Sequence, residues 1–113
     1  MEKERRAAPR VRVSLTASWQ GAVTSQKATV TDLSRNGCFV LSGGKVEVKE
    51  LVSIEIELPH RRSVHFWAEV VDEASEIGFA LRFNSSTDED LEQLESYIEE
   101  IFNSVTVKRT QQE

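Results

Sequence analysis

Two clusters of residues carry the groups needed to hold a flat, anionic ligand. The first is Arg5-Arg6-Ala7-Ala8-Pro9-Arg10 and the second is Asp32-Leu33-Ser34-Arg35-Asn36-Gly37. Arginine offers a planar, permanently charged fork of donors. It matches phosphate oxygens or the O6/N7 edge of guanine, and it also stacks on flat rings. A carboxylate such as Asp32 accepts from the donors on guanine's other edge, and the Ser34 hydroxyl can reach a base or a phosphate. A glycine, here Gly37, lets a ring approach the backbone without a Cβ in its way. Each cluster also has an ordinary reading when taken singly: a solvated basic arm, and an Asx turn between two strands.

The other reactive side chains point away from catalysis. His60 and His65 are five residues apart and lack a ligand-like partner spacing. Cys38 is the one cysteine and lies in an apolar stretch, where it reads as a small buried hydrophobe. A single cysteine excludes an intrachain disulfide and a cysteine-rich zinc site. Neither a nucleophile–base pair nor a phosphate-cradling glycine loop is visible. The chain therefore reads as non-enzymatic, without metal or cofactor. Trp67 stands apart, because its strand position puts it on a polar face. An exposed indole there calls for a cover, either a ligand or the C-terminal helix.

Alternating elements must position these groups. Val11, Val13, Leu15, Ala17 and Trp19 alternate with polar residues, as in a strand with one buried face. Lys27–Thr31 alternates again, Asp32–Gly37 interrupts the pattern, and Cys38–Leu41 forms a short apolar strand. Val52, Ile54, Ile56 and Leu58 make a fourth strand, stopped by Pro59. Val64, Phe66, Ala68 and Val70 make one face of a fifth, and Asp72–Glu76 reads as a turn. Ile77, Phe79, Leu81 and Phe83 are the inner face of a sixth. Six strands at hairpin spacing predict a mainly β fold, a six-stranded antiparallel β-barrel whose closure removes open edges. The period then changes to three or four at Leu91, Leu94, Ile98, Ile101 and Val105, giving an amphipathic C-terminal α-helix packed across the barrel. Ser86 and Glu89 form a capping box at its start. The organisation is then a flexible arm over 1–10, a barrel plus helix over 11–105, and a frayed tail over 106–113.

Composition bounds the function. The chain has 113 residues, 39% hydrophobic and 29% charged, the make-up of one folded domain. A net charge of −5 argues against general nucleic-acid binding. The charges are segregated: the arm is basic, while residues 88–100 hold seven acids and no base. This arrangement reads as solvated ends, or as arginines for a small anion beside a helix that repels long polyanions. No apolar run reaches the length of a membrane span, and the charged N-terminus is not a secretory signal, so the expectation is a cytoplasmic protein without membrane insertion.

The pair of clusters resembles the PilZ domain family, receptors for the bacterial second messenger cyclic di-GMP. Arg6-Ala7-Ala8-Pro9-Arg10 fits its RxxxR segment, and Asp32-Leu33-Ser34-Arg35-Asn36-Gly37 fits its [D/N]xSxxG segment at every defined position. Gly78–Phe83 also looks like the family's last strand. The resemblance covers roughly residues 4–103 and implies the family's split-barrel fold with a C-terminal helix. It implies that Arg6 and Arg10 bind phosphates and guanine edges, that Asp32 and Ser34 hydrogen-bond the guanine or its phosphate, and that Gly37 gives the base room. By the same resemblance Arg5 favours a stacked pair of ligands; Arg35, at a variable family position, is a candidate to assist with phosphates, and Trp67 is a candidate contact from its strand position alone. The implied role is a signal adaptor that binds cyclic di-GMP and passes the state to a downstream protein. Two alternatives are a PilZ-like interaction module that binds no nucleotide and a small-barrel single-strand nucleic-acid binder using Arg5, Arg6, Arg10 and Trp67.

Overall fold

The computed structural model describes residues 9–74 and 77–111, with side chains through 104 except at 74. The first cluster therefore enters only at its end, with Pro9 and Arg10. Arg5 and Arg6 lie outside the described residues.

Six strands form in chain order: β1 Val11–Gln20, β2 Ser25–Ser34, β3 Gly37–Leu41, β4 Leu51–Ile56, β5 Val64–Ala74 and β6 Gly78–Ser85. All pairings are antiparallel, and the order β1-β2-β3-β6-β5-β4 closes on itself as a barrel. The alternating residues explain the closure. Leu15, Ala17 and Trp19 of β1, Val52, Ile54 and Ile56 of β4, and Val64, Phe66, Ala68 and Val70 of β5 all point inward and are buried. Trp19 fills one end of the interior. Its ring meets Phe79 edge-on at 5.2 Å, and its indole N–H donates to the Ser42 hydroxyl at 2.9 Å.

Several expectations are corrected. β2 does not stop at Thr31 but runs through Ser34, because a β-bulge between Val30 and Asp32 in its pairing with β3 resets the alternation. Val30 and Leu33 both face inward as a result. β5 likewise runs through Ala74 where Asp72–Glu76 read as a turn, with a second irregularity between Val70 and Asp72. Ile77 was expected inside, but it precedes β6 and is exposed.

Helix α1 spans Asp88–Gln111, past the Val105 limit expected from sequence. Its cap is Thr87 rather than Ser86: the Thr87 hydroxyl accepts from Asp90 N at 3.1 Å, and the Thr87 carbonyl accepts from Leu91 N. Leu94, Tyr97 and Ile98 are buried where the helix meets β5, β1 and β2. Burial, followed by the nearby Glu100 carboxylate, pushes the Tyr97 phenol above its ordinary pKa, against the opposing pull of Arg61.

The acidic run is not a plain solvated face. Asp90 is buried and accepts from the Arg62 guanidinium and from His65 N at 3.0 Å. Arg62 also reaches Glu89 at 3.7 Å. Arg61 spans Gln93 and Glu100 at 3.3 and 2.7 Å. The basic Arg61-Arg62 loop before β5 thus anchors the acidic helix.

Candidate functional site

The strands bring the two sequence clusters to one place. Val11 pairs with Leu33, so Arg10 enters β1 directly beside the β2–β3 turn. Arg10, Asp32, Ser34 and Gly37 line a single open cavity of about 310 Å³ on the outside of the barrel. Asn36, Phe39, Val71, Ala80 and Arg82 complete most of its wall. The volume is at the lower end of small-ligand pockets.

The turn is built from its own polar groups. The Ser34 hydroxyl accepts from Asn36 N at 3.1 Å, and the Asn36 carbonyl accepts from Phe83 N at 2.8 Å. This fastens the turn to β6. Gly37 has a demanding steric role. A Cβ there would collide with the Leu81 carbonyl oxygen of the paired strand. The residue must be glycine for the barrel to close, quite apart from any ligand. Asp32 stands opposite Arg12 in register, yet their side chains are 3.9 Å apart and 40% and 93% exposed, so the contact leaves Asp32 open to other donors. Arg82 crosses to Glu69 with an Nη2–Oε1 distance of 2.7 Å, which fixes a guanidinium at the cavity rim.

Two expected residues lie elsewhere. Arg35 is at the tip of the turn but does not line the cavity; its guanidinium pairs with Glu95 of α1 at 3.2 Å. Trp67 is also outside the cavity lining, on the outer face of β5 with 51% of its surface exposed. Cys38 is buried, and desolvation pushes its thiol pKa far upward, as expected of an inert core residue. Among the described residues no group of His, Cys, Asp and Glu is arranged to hold a metal ion, and no helix is long and apolar enough to cross a membrane.

Asn36, Phe39, Val71 and Arg82 escaped the sequence reading. Their signal was the broken alternation: the irregularities at Thr31 and at Val71 fall in strands on either side of the cavity. Bulges often re-aim side chains next to functional sites.

Solved structures share this architecture. The inhibitor of motility MotI/DgrA of Bacillus subtilis superposes with a TM-score of 0.71 at 21% identity, over 83% of this chain and 49% of that one. YcgR of Escherichia coli in complex with c-di-GMP gives a TM-score of 0.76 at 17% identity, over 96% and 51%. The PilZ domain of YcgR with c-di-GMP gives 0.67 at 17% identity, over 94% and 98%. The chain spans about half the length of the first two. At these identities the likeness is one of fold. No curated protein matches the sequence. The family model described as the PilZ domain matches residues 4–100, both clusters and all six strands included. That match takes in 97 of the 113 residues, and the six-stranded barrel agrees with it in fold: the chain belongs to the PilZ domain family.

Proposed function

We propose that the chain is a non-enzymatic receptor for cyclic di-GMP. The observation that carries this reading is the convergence of Arg10, Asp32, Ser34 and Gly37 on one cavity from separate parts of the sequence. Arg10 and, from the arm, Arg6 hold phosphate oxygens and a guanine edge through paired charge-assisted bonds. The Asp32 carboxylate accepts from the opposite guanine edge, and Ser34 directs its free proton to a phosphate. Phe39, Val71 and Ala80 supply an apolar wall for a ring. The cavity is small for a dinucleotide and accommodates one base edge with its phosphate, the rest of the ligand extending beyond the described lining. Support comes also from the E. coli YcgR structures, which were solved with c-di-GMP. Arg5 before the RxxxR segment favours two stacked ligands per chain. Binding then reshapes the outer surface for a partner protein in the bacterial cytoplasm.

Calorimetric titration with cyclic di-GMP tests the reading. The expected result is saturable binding with two ligands per chain, and a loss of about 2–4 kcal/mol for Arg10→Ala, which removes charge-assisted bonds from a partly desolvated phosphate. Absence of heat with folded protein at millimolar ligand rejects the receptor role and leaves a PilZ-fold interaction module.

A further inference from the structure

The outer face of β4 and β5 carries a feature that the cavity does not use. Trp67 sits there with half its surface in solvent, although its neighbours Phe66 and Ala68 point inward and are fully packed. Its pose is fixed. His65 meets the indole edge-on, with ring centroids 5.8 Å apart, and the His65 Nε2 is 3.1 Å from the Ser53 hydroxyl on the adjacent strand. A half-exposed indole offers a flat apolar face that a partner group can cover.

On the β6 side of the indole Ser85 is its partner and the nearby Arg82 is paired with Glu69; the unpaired charge lies on the β4 side and is acidic. Neither β4 nor β5 contains a lysine or arginine. Glu55 lies directly across from His65, which places it diagonal to Trp67. Glu57 follows Glu55 two positions along. Among the described residues neither carries an ion pair, in contrast to Glu69, which is taken by Arg82. The β1 residues paired with this part of β4, Ser18 and Gln20, are uncharged. An indole face carries negative potential and attracts cations, most strongly an arginine that can stack on it. Unpaired carboxylates beside it complete a site for a guanidinium or ammonium group. They also repel a phosphate backbone, so a nucleic-acid strand stacking on Trp67 is disfavoured.

We infer that the β4–β5 face centred on Trp67 and Glu55 is a docking surface for an arginine- or lysine-bearing segment of a partner protein. Trp67 and Glu55 do not line the cavity, although the face meets the cavity rim through the Glu69–Arg82 pair.

The probe is a fluorescein-labelled peptide with two arginines separated by glycine, beside its citrulline counterpart and a labelled oligothymidylate. Anisotropy reads affinity, and the indole N–H resonance of Trp67, distinct from that of buried Trp19, reads location. The expected result is binding of the arginine peptide with movement of the Trp67 resonance alone among the two indoles. Trp67→Ala should weaken it about tenfold and Glu55→Gln about threefold, with circular dichroism unchanged because both side chains are exposed. Glu99→Gln on the helix should leave it unaltered. Equal binding by Trp67→Ala overturns the proposal and moves the contact to the acidic helix. Equal binding of the citrulline peptide, no binding at all, or preference for the oligothymidylate overturns it as well.

Discussion

Two arginine–aspartate pairs make opposite use of the same chemistry. At the cavity, Arg12 and Asp32 are cross-strand partners, but they stay 3.9 Å apart and open to water. Under the helix, Asp90 is only 10% exposed in its side chain and is engaged by Arg62, by His65 N and, through its own amide, by the Thr87 cap. An exposed pair contributes little to stability and remains available to a third party. A buried carboxylate with both oxygens engaged is committed to the fold, because removing it strands the donors that faced it. Satisfied, buried charge therefore marks architecture in this molecule, and loosely held charge stays open to other partners.

Substitutions can break that contrast. The largest effect is expected at Asp90→Ala, which leaves Arg62 and the His65 amide without their acceptor and should cost about 3–5 kcal/mol in urea unfolding. A cost below about 1 kcal/mol would remove the distinction between the two pairs. Gly37→Ala should follow at about 3 kcal/mol, since the added methyl meets the backbone of Leu81 and must force β3 and β6 apart. Full stability combined with lost ligand binding would instead assign the glycine to the ligand alone. The smallest and sharpest test is Asp32→Ala. Its stability should stay within about 0.5 kcal/mol of wild type, while cyclic di-GMP affinity falls by about 1.5–2 kcal/mol through the loss of charged acceptor bonds. Unfolding and calorimetric titration on the same preparation read both.

The legible parts of the sequence are those where one period runs unbroken. Strands β4 and β5 follow from strict alternation, with Val52, Ile54, Ile56 and Val64, Phe66, Ala68 buried as read. The helix stripe of Leu94 and Ile98 is equally plain. Legibility fails where a bulge shifts the phase. Thr31 and Val71 each displace the alternation by one, so β2 and β5 look finished before they end. The helix start was misplaced by one residue for a different reason. Ser86 and Thr87 are both good caps, and the choice falls to Thr87 in the structure that draws Asp90 onto Arg62 and His65. Arg35 shows the same effect at the candidate site: its charge is legible, but its partner, Glu95 on the helix, is not.

The sequence by itself determined the barrel strands, the amphipathic helix and the types of residue at the candidate site, because side-chain period and hydrogen-bonding chemistry are local properties. Only the tertiary structure decided which charges are occupied. Closure of the barrel set Asp32, Ser34 and Gly37 beside Arg10 and Arg82, and docking of the helix engaged Arg61 and Arg62 while giving Arg35 an exposed partner in Glu95. A guanidinium's use depends on what lies within a few ångströms of it, and that distance is fixed by contacts between residues far apart in the chain.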